Sequence, residues 1–178
     1  MTVPNIITMT RIALIPVFMI CMETEWRIAA LVIFAAAAAT DFLDGYLARR
    51  MGQITNFGKI IDPLADKLLV LAALVYFVRE GTVAVWVAVL VLARELVIGS
   101  LRAVAASRGT VIAADLSGKI KTVTQIFCVC AILTPWFATE LFASFALCDL
   151  AAWLIAIVTA WSGIDYLTRH RALFTDIK

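Results

Sequence analysis

Six long apolar stretches, separated by short polar segments, account for nearly all of the 178 residues. The hydrocarbon core of a bilayer is about 30 Å thick, so a helix that crosses it needs roughly 20 predominantly apolar residues. The pattern therefore predicts an all-α polytopic membrane protein with six transmembrane helices, at about 6–22, 28–50, 58–79, 82–106, 116–136 and 146–168. Because these segments use almost the whole chain, we expect a single domain over 1–178 with no long linker.

Composition and charge support this assignment and add an orientation. Apolar residues make up 63% of the chain and its mean hydropathy is +0.99, whereas soluble domains are roughly 45–50% apolar. The net charge is only +2, but the basic residues gather at one end of the predicted bundle. That end carries Arg49, Arg50, Lys59, Arg102, Arg108, Lys119, Lys121, Arg169, Arg171 and Lys178. The positive-inside rule then predicts that both termini face the cytoplasm.

Four aspartates interrupt the second and third apolar segments. The sequence there is Asp41-Phe-Leu-Asp44-Gly45-Tyr-Leu-Ala48-Arg49, followed after eight residues by Gly58-x3-Asp62-x3-Asp66. An ionised Asp at membrane depth costs about 2.5–3.5 kcal/mol on insertion scales, so four cost on the order of 10 kcal/mol without a cationic partner. On a helix, positions 41, 44, 45 and 48 share one face, and 58, 62 and 66 form a second stripe. Two antiparallel helices joined by the turn 52–56 could therefore direct four carboxylates to one place.

The chemistry of these residues suggests metal ions and phosphate. Carboxylates without His or Cys suit a hard cation such as Mg²⁺, Mn²⁺ or Ca²⁺, and two such ions could neutralise a diphosphate. Gly45 and Ala48 would leave space for a ligand, and Arg49 can pair with phosphate or with a neighbouring Asp. Two alternatives remain open: an ion-pair network of the aspartates with Arg11, Lys59 and Lys67, or a pathway for cations.

This spacing resembles the signature of the CDP-alcohol phosphatidyltransferases at every defined position. The resemblance implies a six-helix membrane fold, a homodimer, and transfer of a phosphatidyl group from CDP-diacylglycerol to an alcohol with release of CMP. It implies that two divalent cations, Mg²⁺ or Mn²⁺, are held by Asp41, Asp44, Asp62 and Asp66. Asp66 would also be the base that takes the proton of the acceptor hydroxyl. Asp44, Gly45, Ala48 and Arg49 would bind the cytidine diphosphate.

The start of the chain, Pro4-Asn5-x2-Thr8-x2-Arg11, also resembles this family. Asn5 and Thr8 would then contribute hydrogen bonds to the nucleotide. The alternative is ordinary, since either residue could cap the first helix.

The choice of acceptor alcohol must be read outside the signature. Arg94 lies about twelve residues into the fourth apolar segment, too deep for a solvated end, and Arg102 and Lys119 add fixed positive charge nearby. Such a cluster suits a phosphate monoester on the acceptor. The stretches around these residues resemble the bacterial phosphatidylglycerophosphate synthases, a branch of the family whose acceptor is sn-glycerol 3-phosphate. On that resemblance Arg94, Arg102 and Lys119 bind the acceptor phosphate, with Lys121 assisting.

Each of these residues has a plainer alternative. Arg94 could form an ion pair with the adjacent Glu95, and Lys119 and Lys121 could contact lipid headgroups. Asp165 is expected to be a structural partner of Arg169 and to take no part in the chemistry.

The expected activity is therefore transfer of the phosphatidyl group to sn-glycerol 3-phosphate in the bacterial inner (cytoplasmic) membrane. The multi-pass chain would have its active site facing the cytoplasm, membrane lipids around it and no nucleic-acid partner. A sister enzyme with another acceptor, above all cardiolipin synthase, is the nearest alternative. A divalent-metal transporter is a more distant one, because a carrier has no use for Gly45, Ala48 and Arg49 at those spacings.

Overall fold

The computed structural model describes the backbone of residues 3–51, 56–107, 115–134 and 146–171, and the side chains of 8–40, 65, 67–107, 115–134 and 147–171. These residues form six α-helices and no strand, which confirms the all-α prediction. The helices are α1 (Val3–Glu23), α2 (Arg27–Met51), α3 (Asn56–Arg79), α4 (Val85–Ser107), α5 (Leu116–Leu133) and α6 (Ala146–Arg169).

The predicted bounds agree with these helices to within three residues at every end. The larger differences have local causes. Gly81 has a φ of +74°, a left-handed conformation that glycine adopts at little cost, so the chain turns there and α4 begins only at Val85. Thr134 is extended, with φ −67° and ψ 126°, as expected for a residue that precedes a proline. It therefore ends α5 three residues earlier than the apolar pattern suggests.

The apolar core of the bundle lies in one half of its length. α1 packs against α2 and α3, α6 packs against α4 and α5, and contacts of α2 with α5 and of α3 with α4 and α5 join the two groups. The core comes from the ends of α1, α3 and α5 and the beginnings of α2, α4 and α6. Its largest buried side chains are Phe18, Phe34, Leu74, Phe77, Val87, Val129, Leu133 and Ile155.

The other half of the bundle carries the buried polar side chains that the structure describes. They are Thr8, Arg11, Ser117, Lys121, Gln125, Thr159 and Ser162. Since successive helices alternate in direction, the beginnings of α1, α3 and α5 share this half with the ends of α2, α4 and α6. All of the predicted site residues fall on these portions except Arg94, which lies near the middle of α4. The fold thus gathers the candidate chemistry at one end.

The outward faces of the helices are apolar. Each helix exposes more than half of at least one large apolar side chain: Ile20, Val32, Val75, Val89, Phe127 and Ile157. In the described part of the chain, Leu116–Leu133 and Leu147–Arg169 are long and apolar enough to cross a bilayer, with mean hydropathies of 1.4 and 1.8. In the other helices, charged residues interrupt the apolar sequence; in α4 these are Arg94, Glu95 and Arg102.

Candidate functional site

The four aspartates of the signature lie on two consecutive helices that contact each other. Asp41 and Asp44 belong to the second half of α2, and Asp62 and Asp66 to the first half of α3. The side chains of Asn5, Asp41, Asp44, Gly45, Ala48, Arg49, Asp62 and Asp66 lie outside the described residues. The convergence of the four carboxylates therefore stays a prediction.

A cavity of ≈ 580 Å³ lies among α1, α2, α3, α4 and α5, between the polar half and the apolar core, and Phe34, Leu69 and Val91 of the core form part of its wall. Most of its wall is apolar, but Arg11, Lys67, Glu95 and Lys121 bring charge into it. Lys67 follows Asp66 directly in α3, so this cavity lies beside the helix that carries two of the four aspartates. An apolar wall with a cationic region suits an amphiphilic ligand with a negatively charged head.

Glu95 is the centre of an ion-pair cluster at the cavity wall. Its Oε1 accepts hydrogen bonds from Lys121 Nζ and from Arg94 Nη1, the latter at 3.1 Å, and its Oε2 lies 3.6 Å from Lys67 Nζ. The Glu95 side chain is only 14% exposed. One acid therefore links α3, α4 and α5. The ion pair with Glu95, named above as the alternative for Arg94, is present.

Arg94 is also tied to α6. Its Nη2 donates a hydrogen bond to Ser162 Oγ at 2.7 Å. Gly118 and Gly163 face this side chain: a Cβ at Gly118 would lie 3.6 Å from Arg94 Nη2, and one at Gly163 would lie 3.5 Å from its Cγ. Both distances are ordinary van der Waals contacts, so the two glycines lie directly alongside the arginine as it passes between α5 and α6.

The other three predicted acceptor-binding residues differ in their surroundings. Lys121, expected only to assist, is buried in the cavity wall, whereas Lys119 is exposed. The guanidinium carbon of Arg102 lies 5.4 Å from the centroid of the Tyr166 ring, within range of a cation–π interaction. Among the described residues neither Arg102 nor Lys119 forms an ion pair with Glu95. The structure thus brings Arg94 and Lys121 together on a common partner.

On α1, Thr8 and Arg11 are both buried and lie three residues apart on one face. Because α1 begins at Val3, Thr8 is too far into the helix to be its N-cap, so the capping alternative does not hold for this residue. Arg11 reaches the cavity wall.

At the end of α6, Arg169 Nε donates to Asp165 Oδ1 at 2.8 Å. The expectation that Asp165 is a structural partner of Arg169 is confirmed.

The sequence analysis did not predict that Glu95 of α4 forms an ion pair with Lys67 of α3. It considered Glu95 only as a neighbour of Arg94, and Lys67 only as a possible partner of the aspartates. One signal was present: an acid in the middle of an apolar segment is costly unless it is paired with a cation. The identity of its partners on α3 and α5 could not be read from one sequence.

The residues proposed to hold metal fit that role by their chemistry. Within the described side chains, no group of three or more His, Cys, Asp or Glu could hold a metal ion. The predicted donors are the four aspartates of α2 and α3, and an all-carboxylate set without His or Cys suits a hard divalent cation.

Comparison with known proteins gives consistent results along the chain. The family model for CDP-alcohol phosphatidyltransferase matches residues 1–162. A CDP-diacylglycerol–glycerol-3-phosphate 3-phosphatidyltransferase of Bacillus subtilis (strain 168) is 42% identical, over 94% of this chain and 94% of that protein. A protein of the same name from Escherichia coli (strain K12) is 38% identical, over 98% and 97% of the two chains. A probable phosphatidylglycerophosphate synthase of Mycobacterium tuberculosis (strain H37Rv) is 37% identical, over 93% and 79%.

Proposed function

We propose that this chain, which belongs to the CDP-alcohol phosphatidyltransferase family, transfers the phosphatidyl group of CDP-diacylglycerol to sn-glycerol 3-phosphate. The products are phosphatidylglycerol phosphate and CMP. The observation that carries this proposal is the 42% identity, over 94% of both chains, to the Bacillus subtilis protein whose name states this activity.

The chain works as a single domain that crosses the bacterial inner membrane six times, with its active site and both termini facing the cytoplasm. The apolar outward faces of all six helices support this topology, because water-soluble proteins rarely expose large continuous apolar surfaces. The basic residues at one end of the bundle support the orientation. Two chains form a homodimer, as the resemblance to the family implies.

The donor side of the site lies on α2 and α3. Asp41, Asp44, Asp62 and Asp66 would hold two divalent cations, Mg²⁺ or Mn²⁺. When bound, these ions would neutralise the diphosphate and the charge of the departing CMP. Gly45 and Ala48 leave space for the cytidine diphosphate, and Asp44, Arg49, Asn5 and Thr8 bind it. The burial of Thr8 on the same face as Arg11, which lines the cavity, supports its part in this group.

Asp66 takes the proton of the acceptor's 1-hydroxyl as its oxygen forms a bond to the phosphatidyl phosphorus. The bond from that phosphorus to the CMP oxygen breaks in the same exchange. A carboxylate kept ionised by nearby positive charge is suited to this role at neutral pH. The apolar wall of the cavity, which lies beside α3, favours the lipid part of the substrate over water.

The acceptor side uses Arg94, Arg102, Lys119 and Lys121 to bind the phosphate of glycerol 3-phosphate. Arg94 and Lys121 have the best structural support. Lys121 is buried in the cavity wall, and Arg94, whose side chain is 10% exposed, is fixed by hydrogen bonds to Glu95 and Ser162. Guanidinium and ammonium groups held in this way can bind a phosphate monoester with little loss of side-chain entropy.

The experiment that tests the function follows CMP release from CDP-diacylglycerol by the purified protein in detergent micelles. Release should require glycerol 3-phosphate, stop with a chelator and return with Mg²⁺ or Mn²⁺. Release that needs phosphatidylglycerol instead would identify a cardiolipin synthase. Metal uptake by proteoliposomes without CDP-diacylglycerol, and no release with either acceptor, would identify a transporter and refute the proposal.

A further inference from the structure

The same face of α6 contacts both arginines of α4. Arg94 donates a hydrogen bond to Ser162 Oγ at 2.7 Å, and the guanidinium carbon of Arg102 lies 5.4 Å from the centroid of the Tyr166 ring. Ser162 and Tyr166 are four residues apart and therefore share one side of the helix. The two arginines are separated by about 12 Å along α4, but their partners by only about 6 Å along α6. The two guanidinium groups therefore converge where they meet α6.

Arg102 is held by an aromatic ring, whereas Arg94 is held by hydrogen bonds. Arg102 is half-buried, its Nε is buried without a hydrogen-bond partner, and no ion pair within the described part of the chain includes it. A guanidinium above an aromatic face is attracted by the negative charge of that face. This attraction orients the group and leaves its outer N–H groups available for an anion.

The Tyr166 ring is itself fixed. The side chain is 1% exposed, and the imidazole of His170 stacks on the ring, with centroids 4.4 Å apart and an angle of 28° between the planes. His170 Nδ1 lies 3.0 Å from the carbonyl oxygen of Tyr166 and 3.9 Å from Asp115 Oδ2, just before α5. The Tyr166 hydroxyl is buried, but within the described residues it has no hydrogen-bond partner. The ring, rather than the hydroxyl, therefore makes the contacts of this side chain.

We propose that Tyr166 is a positioning residue for the acceptor's phosphate, because its ring holds the guanidinium of Arg102 in the orientation that binds a phosphate monoester. Ordering a long side chain during binding costs free energy, and a side chain that is held in advance avoids this cost. Tyr166 does not touch the substrate and acts only through Arg102. This role rests on the proposed function, which assigns Arg102 to the acceptor's phosphate.

The test measures the dissociation constant of inorganic phosphate by calorimetry in detergent micelles with Mg²⁺ present. Tyr166→Leu removes the aromatic face and should weaken phosphate binding by about three- to tenfold, as expected when one arginine is no longer ordered in advance. Tyr166→Phe keeps the ring, so its affinity should stay within about twofold of the wild type. In CMP release, Tyr166→Leu should raise the KM for glycerol 3-phosphate by the same factor and retain kcat.

A double variant shows whether Tyr166 acts through Arg102. Arg102→Gln should weaken phosphate binding, and adding Tyr166→Leu to it should cause no further loss, because the group that the ring positions is already absent. A purely structural role would lower the folded fraction, and with it the apparent kcat, but would leave KM unchanged. The rise in KM therefore separates positioning from packing.

Tyr76→Leu is the matched control. The Tyr76 ring also contacts an arginine, since the guanidinium carbon of Arg79 lies 5.6 Å from its centroid, but this pair is at the opposite end of the bundle. The phosphate affinity and the KM of Tyr76→Leu should equal those of the wild type.

A trifluorinated phenylalanine at position 166 keeps the test decisive if Tyr166→Leu does not fold. It retains the shape of the ring but weakens the negative charge of its face, so it should bind phosphate more weakly than Tyr166→Phe. Equal affinities of these two variants would overturn the proposal.

Three other results would also overturn the positioning role. They are unchanged phosphate binding by Arg102→Gln, a full further loss when Tyr166→Leu is added to Arg102→Gln, and an affinity lost equally in Tyr166→Phe, which would assign the effect to the hydroxyl. A wild-type protein that binds phosphate but releases no CMP with glycerol 3-phosphate would refute the proposed function alone. The phosphate affinities would then still decide the role of Tyr166.

Discussion

Substituting Arg94 would measure how much its hydrogen bond to Ser162 of α6 contributes to the stability of the bundle. Its guanidinium bonds to Glu95 at 3.1 Å and to Ser162 at 2.7 Å, and its side chain is only 10% exposed. A lysine at this position keeps the charge but has a single nitrogen, so it cannot serve two partners in the geometry of the planar guanidinium. Arg94→Lys should keep the ion pair with the carboxylate and lose the bond to Ser162.

The size of this loss depends on which estimate applies. A hydrogen bond to a charged group contributes about 1.5–3 kcal/mol in water-soluble proteins. Interhelical hydrogen bonds in a membrane protein average about 0.6 and reach about 1.7 kcal/mol, because the unfolded state in the membrane also finds partners. The bond from Arg94 to Ser162 is charged and buried, so we expect a cost near the upper membrane figure, about 1.5 kcal/mol.

The measurement is the free energy of unfolding in mixed micelles for four proteins: the wild type, Arg94→Lys, Ser162→Ala and the double variant. Both single changes remove the same bond, so the double variant should cost little more than either one. Ser107→Ala is a suitable control, since within the described part of the chain the Ser107 hydroxyl bonds to a carbonyl of its own helix, at 2.7 Å. If the two single costs add to within about 0.5 kcal/mol, the bond does not couple α4 to α6 and the reasoning is wrong.

Two further changes separate chemistry from packing. Asp66→Asn should reduce turnover by about 100-fold or more, because a general base is lost; CMP release at the wild-type rate would contradict its assignment as the base. Tyr76→Phe removes the hydrogen bond from the Tyr76 hydroxyl to the Met22 carbonyl oxygen at 2.7 Å. It should lower the free energy of unfolding by about 1 kcal/mol with kcat and KM unchanged, and altered kinetics would show that this end of the bundle takes part in the reaction.

The apolar pattern was sufficient to predict six helices and most of their bounds. It was less accurate where a backbone feature, rather than hydropathy, ends a helix. The residues 82–84 before Val85 are largely apolar in the sequence, but the left-handed Gly81 has already turned the chain. Thr134 continues the apolar run of α5, and the following proline takes it out of the helical conformation.

For the candidate site, the charged positions in the sequence were informative, but the rotation of each helix was not. The positions of charged residues along the chain showed where the chemistry lies, and the neighbours Arg94 and Glu95 could be paired by inspection. Which lysine of α5 faces the cavity could not be read, because a membrane helix is apolar on every side and its pattern does not fix its rotation. Lys119 was given the larger role, yet Lys121 is the one in the cavity wall. The contacts that join Lys67, Glu95 and Lys121 cross three helices and depend on tertiary packing.

The separation of the bundle into an apolar half and a polar half has a consequence for its local stability. Backbone amides in the half around Phe18, Phe77 and Ile155 should exchange with deuterium only when the whole bundle opens, whereas those that border the cavity should exchange through smaller local openings. The cavity can then open while the packing around Phe18, Phe77 and Ile155 stays intact. For the same reason, an engineer seeking a more heat-resistant protein should place stabilising substitutions in that half, where rigidity does not compete with turnover.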